Sequence, residues 1–258
     1  MSVSRYSNQR KALILEPYQK RHLNIHPDNP NIYVIIPAFN EEESIGLVLS
    51  DIPWDVVKEV IVVSNGSTDT TVAVARKGGA VVLEEPQKGY GKACLKGLEY
   101  LSQLEGAERP DVVVFLDGDY SDYPEELKML IEPILKGESD MVIGSRATGE
   151  REQGSMMPQQ IFGNWLATSL IRLMYKVDYT DLGPFRAISY DRLLEIGMVD
   201  ENFGWTVEMQ VKAAKKNMRF AELPVRYRKR VGVSKVTGTI YGTVMAGYKI
   251  IYTIFKYR

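Results

Sequence analysis

The residues best suited to chemistry are two aspartates, in the run Asp117-Gly118-Asp119. They directly follow Val112 to Leu116, apolar residues rich in β-branched side chains, which predict a strand buried on both faces. Carboxylates at the end of such a strand lie at the C-terminal edge of a sheet, where open α/β sheets bind ligands. Two oxygen donors held so close suit Mg²⁺ or Mn²⁺, which would in turn hold the phosphates of a nucleotide. A simple turn after a strand is the competing interpretation.

Further polar runs follow other predicted strands, and one opens a helix. Pro37-Ala38-Phe39-Asn40-Glu41-Glu42 comes after the strand predicted for 31–36, and Ser64-Asn65-Gly66-Ser67-Thr68-Asp69 after the strand predicted for 60–63. Small polar residues at such places supply turns, helix caps and hydrogen-bonding side chains. In Lys88-Gly89-Tyr90-Gly91-Lys92, backbone N–H groups and positive charge at a helix start suit a phosphate, although a pair of solvated lysines is the simpler interpretation.

Strands and helices alternate along the first half of the chain, which predicts an α/β fold with a mostly parallel sheet and helices on both faces. The pattern then changes. Residues 147–160 are polar and predict a loop that could close over a substrate, while 161–175 predict an apolar helix suited to the core or to a membrane surface. We divide the chain into an N-terminal extension (1–30), one α/β domain (31–235) and a C-terminal amphipathic helix (236–258).

Composition and charge exclude several functional classes. Hydrophobic residues make up 45% and charged residues 25% of the 258 residues, as in ordinary globular proteins. The net charge of −1 gives no basis for a nucleic-acid partner. The one cysteine, Cys94, excludes an intramolecular disulfide and fits a cytoplasmic compartment. His22 and His26 precede the predicted domain, which excludes a histidine-based catalytic triad in its core.

The two ends of the chain bear on membrane association. The first 30 residues carry charges throughout and lack a long apolar run, unlike a signal peptide. Residues 236–255 have the length of a membrane span, but Lys249 and several glycines and threonines make them too polar for one. The segment instead predicts an amphipathic helix, which would pack on the domain, lie on an anionic membrane or contact a second subunit of a homo-oligomer.

The C-terminal half adds basic residues and one acid. Arg146 and Arg186 each stand in a short polar turn and are candidate contacts for an anion. Residues 226–230 carry a basic cluster followed by glycine and serine, which suits either a loop folded over phosphate or a solvated face. Glu208 lies in the first turn of a helix that is predicted to begin at Trp205.

Taken in order, these motifs resemble glycosyltransferase family 2. The motifs are residues 37–42, 65–69, 88–92, 117–119, 144–146 and 230–235. The most similar branch contains the dolichol-phosphate and polyprenyl-phosphate mannose and glucose synthases. The resemblance implies a GT-A (Rossmann-like) fold, a nucleotide-diphosphate-sugar donor, Mg²⁺ or Mn²⁺ held by a DXD motif, and transfer with inversion at the anomeric carbon.

The resemblance also implies roles for individual residues. Asp117 and Asp119 would hold the metal ion and the donor diphosphate. The same resemblance places further nucleotide-sugar contacts in the neighbouring motifs, at Pro37, Phe39, Glu41, Val63, Asn65, Asp69, Lys88, Gly118, Arg230 and Lys235. Glu208 falls where inverting members often carry an acid on the acceptor side. Asp119 and Glu208 are thus the candidate catalytic residues.

The nature of the acceptor decides what else the chemistry needs. A lipid phosphate is already an anion near neutral pH and needs positioning more than deprotonation, so Arg146 and Arg186 become candidate acceptor clamps, with Trp205 beside them. A hydroxyl acceptor needs a general base, for which Glu208 is the candidate. We predict a hexosyltransferase that uses a GDP- or UDP-sugar and a polyprenyl or dolichyl phosphate, and that is peripheral at the cytoplasmic face of a membrane.

Three alternatives stay open at this point. The acceptor could be a soluble or saccharide hydroxyl. The chain could be a nucleotide-sugar-binding module without catalysis, although the retention of Asp117 and Asp119 argues against it. It could also be a nucleotidyltransferase, which would release pyrophosphate where a glycosyltransferase releases a nucleoside diphosphate.

Overall fold

The fold is built on a seven-stranded sheet with the strand order β3-β2-β1-β4-β6-β5-β7. The computed structural model describes residues 29–232 and 240–258. The strands are β1 (Ile32–Ala38), β2 (Glu59–Ser64), β3 (Val81–Glu84), β4 (Val112–Phe115), β5 (Met141–Ser145), β6 (Arg186–Ser189) and β7 (Phe220–Pro224). The helices are α1 (Ile45–Asp51), α2 (Thr71–Lys77), α3 (Tyr90–Leu101), α4 (Leu127–Leu135), α5 (Pro158–Tyr175), α6 (Tyr190–Ile196), α7 (Trp205–Lys215) and α8 (Ile240–Lys256). Short 3₁₀ turns occupy Gly106–Glu108 and Pro124–Glu126.

The sheet is mostly parallel, as predicted. Strands β1, β2, β3 and β4 pair in parallel, and β7 pairs in parallel with β5. Strand β6 is the exception, because it lies antiparallel between β4 and β5. The sequence predicts polar turns up to Arg186 and no strand here, so this prediction is wrong. The four residues of β6 include Arg186 and Ser189, so it lacks the continuous apolar run by which the other central strands are recognised.

The core lies on both faces of the sheet, which is why the central strands read as continuous apolar runs. Along β1, Tyr33 and Ile35 point into one cluster with side chains of α3, α6 and α7. Ile32, Val34 and Ile36 point into the other cluster with side chains of α1, α2 and α4. Helices on both faces hold the C-terminal ends of β1, β2 and β4 in fixed positions, and the predicted functional residues follow those ends.

Helices α5 and α8 pack against each other, and α8 also packs against α7. Both bury one side only. In α5, Ala167 and Ile171 are buried in the core while Phe162 and Trp165 are 61% and 60% exposed, so one side of α5 packs on the core and the other lies at the surface. Within the described part of the chain, no helix combines the length and the apolar character that crossing a membrane requires.

Candidate functional site

A cavity of about 390 Å³ opens at the C-terminal ends of β1, β2 and β4. We call it the donor cavity, after the prediction that residues at these strand ends bind the sugar donor. Its walls bring together segments that are far apart in the sequence, which is the effect expected where parallel strands end at one edge of a sheet. The lining residues are Pro37, Ala38, Phe39, Glu41, Asn65, Lys88, Gly89, Tyr90, Ala93, Asp117, Gly118, Asp119, Asn202, Phe203 and Arg230.

Asp119 is largely buried and is held from two sides. Its Oδ1 accepts hydrogen bonds from the backbone N and the Oγ of Ser121, at 3.0 and 2.5 Å. Its Oδ2 lies 3.1 Å from Nη1 of Arg230. The Nη2 of Arg230 in turn donates to Oε1 of Glu41 at 3.1 Å. Arg230 therefore links Glu41, which follows β1, to Asp119, which follows β4, and brings a positive charge to the donor cavity.

Asp117 carries the second carboxylate of the motif. Its Oδ1 accepts a hydrogen bond from the Tyr90 hydroxyl at 3.0 Å. Burial and the charge of Asp119 raise the pKa of Asp117 to about 7, while the Tyr90 hydrogen bond and Arg230 act in the opposite direction. Nearby, burial and then the charges of Asp117 and Asp119 raise the pKa of Asp122 well above its usual value. Asp117 and Asp122 thus hold a proton more tightly than an exposed aspartate does.

The donor atoms of this edge fit a divalent cation. Asp117 and Asp119 offer hard oxygen ligands, and a cation would offset both the burial of Asp117 and its repulsion by Asp119, which together raise the pKa of Asp117. Within residues 29–232 and 240–258, no three acidic, cysteine or histidine side chains form a ready-made metal site. Mg²⁺ is commonly bound by only one or two carboxylates, with substrate phosphates and water as its other ligands. The two aspartates are sufficient for that mode of binding.

A second cavity, of about 280 Å³, adjoins the first. We call it the acceptor cavity, after the prediction that Arg146 and Trp205 bind the acceptor. It shares Tyr90, Asp117 and Phe203 with the donor cavity, and its other walls come from α5, α7, α8 and the segments around Arg146 and Leu182. The shared residues mark the place where groups bound in the two cavities would meet.

Arg146 is the cation of the acceptor cavity. Its Nε and Nη2 donate to the two oxygens of Asp181 at 2.8 and 2.7 Å, a bidentate pair in which the Asp181 side chain has no exposed surface. Although burial acts to raise it, the Arg146 charge holds the pKa of Asp181 below its usual value. The Nη1 of Arg146 takes no part in this pair. The pair with Asp181 fixes the guanidinium of Arg146 in the wall of the acceptor cavity.

Comparison with known proteins identifies the family of this chain. Residues 33–195 match the family model described as glycosyl transferase family 2. The chain belongs to glycosyl transferase family 2. Membership makes it a glycosyltransferase, as predicted, and the sheet with its covering helices has the predicted GT-A, Rossmann-like arrangement.

Three proteins are similar to this chain, two in sequence and one in fold. An uncharacterized glycosyltransferase of Mycobacterium tuberculosis is 33% identical over 216 residues, which cover 83% of this chain and 94% of the relative. The undecaprenyl-phosphate mannosyltransferase of Micrococcus luteus is 31% identical over 225 residues, covering 82% of this chain and 89% of the relative. The glucosyl-3-phosphoglycerate synthase of M. tuberculosis, solved with Mn²⁺, UDP and phosphoglyceric acid, has a TM-score of 0.69 at 23% identity, covering 88% of this chain and 78% of that one.

Most of the predicted donor residues of this family 2 chain lie together. The donor cavity is lined by nine of them: Pro37, Phe39, Glu41, Asn65, Lys88, Asp117, Gly118, Asp119 and Arg230. Lys88 also places its Nζ 4.6 Å from the centre of the Phe39 ring. The prediction for Lys235 lies outside the described residues. Arg146 and Trp205, predicted for the acceptor, both line the acceptor cavity.

Val63 and Asp69 do not line the donor cavity, and Asn65 lines it but also supports its wall. The side chain of Val63 is fully buried in the core and does not line the cavity. Asp69 accepts hydrogen bonds from the N and Oγ1 of Thr71 at the start of α2, at 3.0 and 2.5 Å. Asn65 reaches the cavity wall, but its amide bonds the backbone of residues 85, 87 and 89. For Val63 and Asp69, the structure therefore contradicts direct contact with the nucleotide sugar.

Glu208 is not where a general base would be needed. Its side chain has no exposed surface and lines neither cavity. It accepts hydrogen bonds from the backbone N of Val199 and of Asp200 and from the Tyr257 hydroxyl, and it pairs with Lys212 at 2.7 Å. The structure therefore contradicts its assignment as a catalytic acid or base, because its oxygens are committed to the protein interior.

Arg186 is likewise turned inward. It is fully buried, and its guanidinium donates to the backbone carbonyls of Leu182, Gly183 and Thr206. Burial lowers its pKa to about 10, which still leaves it charged near neutral pH. The structure contradicts its assignment as an acceptor clamp. Arg186 is turned inward because it belongs to β6, a strand whose four residues are all buried.

Sequence reasoning also missed functional positions. Tyr90 was recognised only as part of a glycine and lysine motif, yet it bonds Asp117 and lines both cavities. Asn202 and Phe203 line the donor cavity from the segment before α7. No local signal marks these two residues, because their partners lie far away in the sequence. The two glycines of the 88–92 motif are an indirect signal, because they allow another segment to approach closely. A Cβ added to Gly89 would lie 2.3 Å from the Glu201 carbonyl oxygen, and one added to Gly91 would lie 1.9 Å from that of Asp200.

Proposed function

We propose that this protein transfers a hexosyl group, with inversion, from a nucleotide-diphosphate sugar to the phosphate of a polyprenyl lipid at a membrane surface. The observation that carries the proposal is the meeting of two unlike cavities at Asp117. One holds acids and Arg230 at a strand edge. The other combines the guanidinium of Arg146 with apolar walls, which suits a molecule having an anionic head and an apolar body.

In the donor cavity, the charge of the leaving group is the main requirement. Breaking the bond between the anomeric carbon and the diphosphate oxygen leaves negative charge on the diphosphate. Mg²⁺ or Mn²⁺ on Asp117 and Asp119 would supply a Lewis acid for that charge. Arg230 adds a second positive charge, since its Nη1 lies 3.1 Å from Oδ2 of Asp119. The Mn²⁺ and UDP bound by the glucosyl-3-phosphoglycerate synthase of similar fold support this assignment.

In the acceptor cavity, the nucleophile would be a phosphate oxygen, which bonds the anomeric carbon on the face opposite the leaving group. Such an oxygen is already ionised and needs no base to remove a proton. The inward orientation of Glu208 fits an acceptor of this kind better than a hydroxyl. Arg146, fixed by Asp181, would hold the acceptor phosphate. The similarity to an undecaprenyl-phosphate mannosyltransferase supports the same class of acceptor.

The surface around the acceptor cavity supports a membrane as the source of that acceptor. Helices α5 and α8 both contribute to the cavity wall and both expose large apolar side chains outside it. On α5 these are Ile161, Phe162, Trp165 and Leu173, and on α8 Val244, Met245, Tyr248, Ile251, Tyr252 and Phe255. Aromatic and aliphatic side chains of this kind bind at the boundary between lipid headgroups and acyl chains. A lipid phosphate could then enter the cavity without leaving the membrane.

Two measurements on purified protein test the proposal. The first follows nucleoside diphosphate release from UDP-, GDP- and dTDP-sugars with Mn²⁺ or Mg²⁺, with a short polyprenyl phosphate or with 3-phosphoglycerate. We expect release that needs the metal and rises only with the lipid phosphate. Stimulation by 3-phosphoglycerate alone would replace the lipid with a soluble acceptor, and no donor turnover under any condition would favour a binding module.

The second measurement is flotation with anionic vesicles. Trp165→Glu places a charge in the exposed apolar surface of α5, and we expect it to reduce vesicle binding strongly. Leu194→Glu is the matched control, because Leu194 is 54% exposed on α6, whose residues do not line the acceptor cavity. Equal binding of the two variants would remove the membrane from the proposal while leaving the glycosyltransferase assignment intact.

A further inference from the structure

The loop of residues 199–204, between α6 and α7, forms one wall of the donor cavity. Its Asn202 and Phe203 are the two lining residues that come from this part of the chain, and Phe203 also lines the acceptor cavity. We call this segment the 199–204 loop. The contacts that fix the 199–204 loop therefore determine the shape of the donor cavity on this side.

The side chain of Asp200 organises the loop from inside. Its Oδ1 accepts hydrogen bonds from the backbone N of Asn202 at 2.8 Å and of Gly204 at 3.1 Å. These two N–H groups lie on either side of Phe203. Asp200 is 6% exposed and does not line either cavity. It therefore acts on the cavity through the backbone of Asn202 and Phe203 and not by contact with a ligand.

Two links connect this loop to the C-terminal helix α8 and the residue after it. The Nζ of Lys249 lies 2.9 Å from Oδ2 of Asp200. The Tyr257 hydroxyl donates to Oε1 of Glu208 at 2.7 Å, and Oε2 of Glu208 accepts the backbone N–H of Asp200 at 2.7 Å. Both links end on Asp200, one on its side chain and one on its backbone.

We propose that Asp200 is a positioning residue for the donor and that Lys249 of α8 is the counter-ion that keeps it in place. The proposal rests on the donor cavity assigned above. A largely buried carboxylate needs a compensating charge, and Lys249 supplies it. Without that charge, the Asp200 carboxylate would be buried without a counter-ion, and its hydrogen bonds to the two N–H groups beside Phe203 would weaken. Helix α8 is thus a structural part of donor binding, although only its inner side approaches the 199–204 loop.

The test is the affinity for nucleoside diphosphates, measured by calorimetry with UDP, GDP and dTDP in the presence of Mn²⁺, together with the melting temperature. Lys249→Met removes the charge and keeps the length of the side chain. We expect it to weaken nucleotide binding about tenfold, the effect of losing one partly buried charged contact. Lys249→Arg keeps the charge and should restore affinity to within about twofold. Tyr257→Phe breaks the second link without leaving a charge unpaired and should act in the same direction, so the test does not depend on one variant.

The matched control is Lys215→Met, which removes the same charge from an exposed lysine of α7 that makes neither link. It should leave nucleotide affinity unchanged. If Lys249→Met and Tyr257→Phe lower the melting temperature but leave the affinity at the wild-type value, the two links only stabilise the fold and the inference is overturned. If the wild-type protein binds none of the nucleotides, the proposed donor cavity fails and this inference fails with it.

Discussion

Removing the Tyr90 hydroxyl should shift the pH dependence of metal binding to higher pH. In Tyr90→Phe the ring still lines both cavities, but the 3.0 Å hydrogen bond to Oδ1 of Asp117 is lost. That bond stabilises the ionised carboxylate, so its loss raises the pKa of Asp117, which burial and Asp119 already hold above the usual value. A metal ion needs the ionised form. The variant must therefore compete with a more tightly held proton.

The size of the effect follows from the type of bond. A hydrogen bond to a charged group contributes about 1.5–3 kcal/mol, which corresponds to a pKa change of about one to two units. The pH at which half of the maximal Mn²⁺ affinity is reached should rise by that amount. At pH 6.5 the variant should bind Mn²⁺ about tenfold or more weakly, and above about pH 9 the two proteins should converge because Asp117 is ionised in both.

The assay is the electron paramagnetic resonance signal of free Mn²⁺, titrated with protein from about pH 6 to about pH 9. Tyr100→Phe is the control, since the Tyr100 hydroxyl also bonds a carboxylate, at 2.9 Å from Oε1 of Glu59, but away from the cavities. It should leave the Mn²⁺ curve unchanged. A Tyr90→Phe curve that coincides with the wild type, or one displaced equally at all pH values, would refute the reasoning that Tyr90 acts through the ionisation of Asp117.

Two further substitutions test contacts that support the walls of the two cavities, and thermal unfolding measures their effect on stability. Asp181→Asn should destabilise the fold by about 3–5 kcal/mol, because it leaves Arg146 buried without its counter-ion. The control Asp178→Asn, in an exposed ion pair, should cost about 1 kcal/mol or less. Equal losses of stability in the two variants would contradict a buried ion pair. Gly91→Ala should cost about 1–3 kcal/mol or more, because its Cβ would lie 1.9 Å from a carbonyl oxygen of the 199–204 loop. Gly163→Ala, in a helix with nothing within 4 Å, should instead stabilise by up to about 1 kcal/mol, and a neutral Gly91→Ala would disprove the close contact.

The sequence by itself determined the parallel part of the sheet and the edge of the sheet at which the donor cavity opens. Both depend on local information. Strands buried on two faces need apolar residues at every position, so β1, β2 and β4 are visible as continuous runs. The residues that follow such strands must come together at one edge, whatever the details of packing. For that reason the sequence alone predicts that Phe39, Asn65 and Asp119 lie together, and all three line the donor cavity.

Only the tertiary structure decided where the charged side chains of the C-terminal half point. Arg186 and Glu208 have the residue types of a clamp and a base, but each finds its hydrogen-bond partners in the protein interior. The contact of Lys249 with Asp200 joins residues from two elements with no shared sequence signal. A long polar side chain can turn toward a cavity or away from it at the same backbone position, and the partners that decide its direction come from distant parts of the chain. Burial and partner geometry, which the sequence does not state, therefore separate the residues that face a ligand from those that support them.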